Sequence, residues 1–382
     1  MEKRNFLFLY LNTGSGHLSP SKILKTEFEI FMNKNNVDGS VTLLNGFAEY
    51  QKIAHTFFED GYRYTSLYLQ GAYSFFYDIT TIPSILNFVK FCCGLRTVSF
   101  LKKIIIKNNI TDVVSFHFAV TPSASKACKK IFLETGKKIP VTQVITDPFT
   151  AHPAWYLVPN AKFVVFSKQI KEKIIKEKLI DENAKIENFD FIIGNKFYPP
   201  SKDEIFELKT KHFSNFSNYD FTKKTILVVG GGDGLKGMYK LVKEFCSIKD
   251  FNFIVICGKV KKRLEKVNKI IKKNNSKNIF VYDYVNFISD FIKISDCVIT
   301  KAGANIMMEV LACKKPIIVS NYIHGQEKGN VEHIIKSRAG WFIQSPKKII
   351  QKILSLKNVE DIITEKFEKR DYERLIKFIV DR

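Results

Sequence analysis

Short apolar runs alternate with amphipathic stretches along most of this chain, and that alternation restricts the fold more than any single motif. A short apolar run bounded by turn residues suits a strand buried on both faces of a parallel sheet. The amphipathic stretch after it suits the crossover helix. The runs fall into two sets. The first predicts strands at Phe6–Leu11, Val41–Leu44, Asp112–Phe116, Val141–Ile145 and Phe163–Phe166, and the second at Thr225–Val229, Phe253–Cys257, Ile279–Tyr282, Cys297–Ile299 and Ile317–Ser320. Between them, Ile192 to Asp220 carries Pro199, Pro200 and the polar run NFSNYDF, the composition of a linker. The expectation is an α/β chain of two doubly wound domains, residues 1–193 and 194–370, with a helix over 371–382 that packs back on the first. At 382 residues and 45% hydrophobic content the chain exceeds what one core normally holds, which supports two.

Composition removes several function classes. The seven cysteines, at 92, 93, 128, 246, 257, 297 and 313, form no CxxC pair and are odd in number, against both a disulfide frame and a zinc knuckle. A reducing compartment, the cytoplasm, is expected. The opening MEKRNFLFLYLNTG reads as a buried strand entering a glycine turn rather than as a signal peptide. The best membrane-span candidate, Ile82 to Leu95, is broken by Lys90. A net charge of +22 suits an anionic partner or reflects a Lys-rich composition. Nucleic acid is the weaker partner, because Lys greatly outnumbers Arg and no finger or RNA-binding signature is present.

One block breaks the βα rhythm. From Tyr62 to Phe100 the chain is dense in Tyr and Phe and is followed by Lys102, Lys103 and Lys107. Rings at headgroup depth with ammonium groups near lipid phosphates make an interfacial segment. A pair of core helices under a long crossover is the competing reading.

Four motifs carry chemistry. TGSGHLSP, Thr13–Pro20, follows the first strand and opens a helix; Gly16 admits a close backbone approach and His17 lies in what reads as an exposed turn. It lacks the third glycine and the later acid of a dinucleotide fingerprint. Asp147 ends a strand, where open α/β sheets bind ligands, and His152 and Trp155 follow in a Pro-punctuated loop. In VVGGGDGLKG, Gly230, Gly231, Gly232 and Asp233 form a loop that can cradle a diphosphate, without the GK[ST] ending of a P-loop. Gly258, Lys259, Tyr284 and Val285 end the next two strands on the same edge, where a base can lie. Last, Thr300–Asn330 places Gly303, Ala304 and Asn305 at a helix start, Glu309 on that helix to accept both hydroxyls of a ribose, and Gln326, Glu327 and Asn330 in the following loop. No D-x-D triplet occurs, so carboxylates that would hold a divalent ion on a diphosphate are not apparent.

In this order the motifs resemble those of glycosyltransferase family 28: the monogalactosyldiacylglycerol synthases, the processive diacylglycerol glucosyltransferases and, more distantly, the MurG-type transferases. The resemblance covers nearly the whole chain. It implies a GT-B fold, two Rossmann-like domains facing across a cleft, with a lipid-acceptor and membrane-associating N-terminal domain and a UDP-sugar C-terminal domain. It implies an inverting, metal-independent transfer of galactose or glucose from UDP-galactose or UDP-glucose to diacylglycerol or a similar lipid. No cofactor beyond the donor is implied, nor any nucleic-acid partner. Residue by residue, Glu309 would bind the ribose, the Gly230–Gly234 loop and Gly303–Asn305 the diphosphate, and Gln326, Glu327 and Asn330 the sugar and phosphates. His17, Gly16, Asp147, His152 and Trp155 would face the acceptor, with His17 or Asp147 as base. Plant-type synthases carry an aspartate immediately before the Thr-Gly of the first motif, where Asn12 stands here. GANIMMEV is also bulkier than the usual helix start. The expected location is the inner face of the cell membrane, peripherally, on an anionic surface. Two other readings stay open: a MurG-like transferase with a different lipid-linked acceptor, and a non-catalytic basic membrane-surface protein that kept the fold.

Overall fold

In the computed structural model, which describes residues 3–49, 51–61, 64–66, 69–94, 96–177, 180, 183–232, 234–356 and 370–381, the apolar runs form two six-stranded sheets. The chain divides into two compact units. One comprises Met1–Ile192, Ile323–Gly329 and Lys369–Arg382, the other Ile193–Tyr322 and Asn330–Glu368.

The first unit holds β1 (Arg4–Tyr10), β2 (Gly39–Asn45), β3 (Asp112–Ser115), β4 (Val141–Val144), β5 (Ala161–Val165) and β6 (Ile186–Asn188) in the order β2-β1-β3-β4-β5-β6. Every pairing is parallel. Helices cover both faces, which is why Phe6 to Leu9 are all buried and the strand reads as an unbroken apolar run. Chain order reverses between β1 and β3, so the crevice at their carboxyl ends is the expected ligand position. The second unit holds β7 (Lys224–Val229), β8 (Phe251–Ile256), β9 (Ile279–Tyr282), β10 (Cys297–Lys301), β11 (Ile317–Asn321) and β12 (Gly340–Phe342), ordered β12-β11-β10-β7-β8-β9 and again parallel. Its reversal lies between β7 and β10.

Two local features depart from the sequence reading. The helix after β1 starts at Ser15, with Gly14 before it at φ 108°, so His17 falls on the inward stripe His17, Pro20, Ser21, Leu24, Phe28, Met32. His17 is therefore buried, 5% exposed, rather than in an exposed turn. The stretch with linker composition contains a helix, Lys202–Phe213, whose N-terminus is capped by Ser201 accepting from Glu204 N. Phe213 is fully buried and stacks on Tyr219 with ring centroids 4.1 Å apart, so this segment adds to the second unit's core.

The C-terminal helix, Tyr372–Val380, buries Tyr372, Leu375, Ile376 and Ile379 within the first unit. Arg4 Nη1 donates to Val380 O at 2.9 Å, and Arg374 pairs with Glu187 at 3.0 Å. Among the described residues no single helix is long and apolar enough to cross a membrane; one bent pair, Pro83–Cys92 with Thr97–Lys107, meets length and composition alone.

Candidate functional site

Both reversals carry the expected motifs. In the second unit the loop after β7 begins at Gly230, where a side chain is impossible: a Cβ would lie 2.2 Å from Gly234 C and Leu235 N. The loop folds back onto the turn after β8, Lys259 N donating to Gly232 O at 2.9 Å, while Gly258 sits in the left-handed region at φ 77°. Gly231 and Gly232 have nothing within 4 Å of an added Cβ, so this stretch of backbone faces open space. Asp233 lies outside the described residues. Beyond β9, Tyr284 is exposed with Lys259 Nζ 4.8 Å from its ring centroid, and Val285 is buried beside it.

Across the reversal, β10 leads to Gly303, the extended N-cap of the helix Ala304–Ala312. That helix has no acidic residue in its first turn and no side-chain cap, so its start favours an anion. Asn305 and Glu309 share one face at i, i+4. Glu309 is half-buried and its carboxylate makes no hydrogen bond or ion pair among the described residues. Burial pushes its carboxyl up to about 8, with Lys196 pulling the other way. Asn330 is buried; its Nδ2 donates to Ala302 O at 2.8 Å and braces the turn before the helix, while its Oδ1 has no hydrogen-bond partner among the described residues.

The first unit gathers a different group around the carboxyl ends of β1, β3 and β4. His17 Nδ1 and Thr146 Oγ1 share a hydrogen bond of 2.8 Å, and the ring also bonds the Phe116 backbone. Burial holds the imidazole down to about 4, so it is neutral at physiological pH. Asp147, half-buried, accepts from Trp155 Nε1 at 2.7 Å and from Gln326 Nε2 at 3.2 Å. Burial pushes its carboxyl up to about 7 against those two bonds, and the Glu327 charge adds to the rise. A carboxylate poised near neutral pH is what a general base requires.

Trp155 is 1% exposed, so it presents no open face for a ligand and instead orients Asp147. His152 is also committed. Its Nδ1 accepts from Ala154 N at 3.1 Å, which puts the proton on Nε2, 3.1 Å from Tyr77 O. Burial lowers it to about 4. Gly16 has nothing within 4 Å of an added Cβ. Gln326 and Glu327 belong to this unit, with Asp147, while Asn330 belongs to the other. Glu327 Oε2 accepts from Ile323 N at 2.8 Å, closing its own turn.

Several neighbours were not singled out from sequence. His117, just after β3, sits edge-on to His17 with centroids 4.5 Å apart; its position at the end of the strand across the reversal was the available signal. Glu59 Oε1 accepts from Asn12 N at 2.7 Å and Asn45 Nδ2 at 2.9 Å, and its Oε2 meets His55 Nδ1 at 2.9 Å. Burial alone would raise the Glu59 carboxyl, but those bonds hold it below its ordinary value. This carboxylate stands beside Asn12, where the side chain itself supplies none. Tyr73 donates to Gln326 Oε1 at 3.2 Å.

The two halves of the chain match known families separately. Residues 17–187 match the monogalactosyldiacylglycerol (MGDG) synthase family, and residues 225–371 match the glycosyltransferase family 28 C-terminal domain. A processive diacylglycerol beta-glucosyltransferase of Bacillus licheniformis is 26% identical over 364 residues, 92% of this chain and 86% of that enzyme. A probable chloroplastic monogalactosyldiacylglycerol synthase of Glycine max is 28% identical over 247 residues, 62% of this chain but 42% of the plant protein. The crystal structure of Acinetobacter baumannii MurG superposes with a TM-score of 0.55 at 12% identity, covering 98% of this chain and 99% of that one, which shows a common GT-B fold. The chain belongs to glycosyltransferase family 28, of the monogalactosyldiacylglycerol-synthase and processive diacylglycerol-glucosyltransferase type.

Proposed function

We propose that this protein moves a hexose, galactose or glucose, from a UDP-sugar to the free hydroxyl of diacylglycerol or a similar lipid. The observation that carries the donor half is Glu309: a partly buried carboxylate without a hydrogen-bond or ion-pair partner among the described residues, one helical turn from an anion-binding helix start, suits a ribose diol next to a diphosphate. Gly230–Gly232, Gly303 and Ala304 offer backbone N–H groups to the phosphates, and the turn at Tyr284 and Val285 offers a surface for the base. The relatives support diacylglycerol as the acceptor, because their names denote enzymes that glycosylate it.

In the acceptor half Asp147 is the general base. His17 is ill suited, since it is buried, bonded to Thr146 and the Phe116 backbone, and made a weak base by burial, which holds it down to about 4. As the lipid hydroxyl attacks the anomeric carbon, its proton passes to Asp147, the new C–O bond forms and the bond to UDP breaks. In-line attack inverts the anomeric carbon. Negative charge left on the diphosphate is met by helix-start amides and loop N–H groups, without a metal ion.

The acceptor is insoluble, and the first unit has a surface for reaching it. The helix Gln70–Ile79 buries none of its residues, and Phe75, Phe76, Phe88 and Phe91 are 53–67% exposed. With Lys102, Lys103 and Lys107 following, these rings make a peripheral contact with the cytoplasmic face of an anionic membrane. The test is Asp147→Asn, assayed with UDP-galactose and UDP-glucose on diacylglycerol vesicles. Loss of transfer with UDP affinity intact supports the assignment, and full transfer by the variant contradicts it.

A further inference from the structure

The helix Gln70–Ile79 has two faces with different tasks. Phe75 and Phe76, 62% and 53% exposed, lie on the outward side. From the same helix Tyr73 donates to Gln326 Oε1 at 3.2 Å, and Gln326 Nε2 donates to Asp147 Oδ1 at 3.2 Å. Three further links tie the helix to the surroundings of Asp147. The Tyr77 ring packs edge-on to His152, centroids 4.7 Å apart, and His152 also bonds Tyr77 O. Tyr77 lies so close to Gly325 that a Cβ there would be 2.3 Å from its Cε1, and Asp78 meets His324 at 3.5 Å. The helix is thus tied to the loop His324–Gln326 and, through Gln326, to Asp147.

We propose that Tyr73 is a positioning residue for Asp147, and that the relay Tyr73–Gln326–Asp147 makes transfer depend on contact of helix Gln70–Ile79 with the membrane. The helix buries none of its residues fully, so apart from the contacts of Tyr73, Tyr77 and Asp78 its outward side is unpacked. Burying Phe75 and Phe76 in lipid supplies the missing apolar contact and fixes the helix, which fixes Gln326 and so the carboxylate. The enzyme then deprotonates a hydroxyl efficiently only at the surface where its acceptor resides. The inference rests on Asp147 as base and on this helix as the lipid contact.

Three proteins, wild type, Tyr73→Phe and Phe75→Ser/Phe76→Ser, are compared on vesicle-borne diacylglycerol and on a short-chain diacylglycerol dissolved as monomers. Wild type should be at least about tenfold faster on vesicles. Tyr73→Phe removes one hydrogen bond and should lower the vesicle kcat about five- to tenfold, leaving vesicle binding and the KM for the UDP-sugar unchanged. Phe75→Ser/Phe76→Ser should lose vesicle binding and with it the rate advantage on vesicles.

A titration of the labelled Asp147 carboxyl reads the relay without any transfer. The bond from Gln326 stabilises the ionised form, while Glu327 opposes it and Tyr77 lies near enough to feel its charge. Tyr73→Phe should therefore move the Asp147 midpoint upward by about half a pH unit. An unmoved midpoint with full vesicle activity would overturn the relay, as would a wild type equally fast on monomer and vesicle. If wild type moves no hexose to diacylglycerol at all, the acceptor assignment fails, and the titration still decides the relay.

Discussion

Substituting Glu309 by Gln separates what this carboxylate costs the free protein from what it does for the donor. Burial raises its carboxyl from 4.5 to about 8. Because the folded state holds the proton more tightly, the group favours folding at low pH, and that contribution is lost as pH rises from 4.5 through 8. At about 1.4 kcal/mol per pH unit the ceiling is about 5 kcal/mol, which solvent screening of a half-buried group reduces to about 1–2 kcal/mol. Glutamine has the same shape and no such slope. Without ligand, E309Q should melt about 2–8 °C above wild type at about pH 8.5 and level with it at about pH 5. UDP should reverse the order. A carboxylate accepting two ribose hydroxyls makes charge-assisted bonds that an amide with one acceptor oxygen cannot both keep, a loss of about 2–3 kcal/mol or about 30- to 150-fold in affinity. Thermal melts at the two pH values with and without UDP, and calorimetric titration with UDP, measure both halves. A variant that melts lower than wild type at high pH, or that binds UDP equally well, would refute the reasoning.

Asp147→Asn should lower kcat about 100- to 1,000-fold with UDP affinity unchanged. A base must be ionised to act, so wild-type kcat should fall as pH drops through about 7, measured as a pH–rate profile. Gly230→Ala places a methyl group 2.2 Å from backbone that has no side chain to move aside, so UDP binding should be lost by calorimetry and stability reduced by about 2 kcal/mol or more in denaturant melts. Phe88→Ser with Phe91→Ser exchanges two rings, 67% and 60% exposed, for polar groups; cosedimentation with anionic vesicles should fall at least about tenfold while the melting temperature holds. Chelation by EDTA should leave the transfer rate unchanged.

Much of this was legible in the sequence where burial is extreme. Of the ten strands read from the sequence, most announce themselves because strands buried on both faces must be apolar throughout. The two that did not, β6 and β12, are three-residue strands at the sheet edges, half-buried and without a pattern to read. His17 was misplaced because a glycine turn suggests exposure, whereas the spacing to Pro20, Ser21 and Leu24 already marks the inward stripe once the helix starts at Ser15. The proposed donor motif is contiguous in sequence, so Glu309 stood out beside Gly303. The surroundings of Asp147 are assembled from afar: Gln326 lies 179 positions along the chain, and Tyr73 lies 253 positions from Gln326. Local pattern does not reveal such a pairing. The segment Lys202–Phe213 shows the opposite failure, in which polar composition hid a helix anchored by one buried phenylalanine.

The most direct measurement is lipid product itself. The purified protein is incubated with diacylglycerol vesicles and either UDP-galactose or UDP-glucose, and the lipid extract and free UDP are quantified together. A glycolipid formed in step with UDP, from one of the two donors and absent in Asp147→Asn, is the predicted result. Failure to bind UDP, or UDP release with no sugar on any lipid, would contradict it.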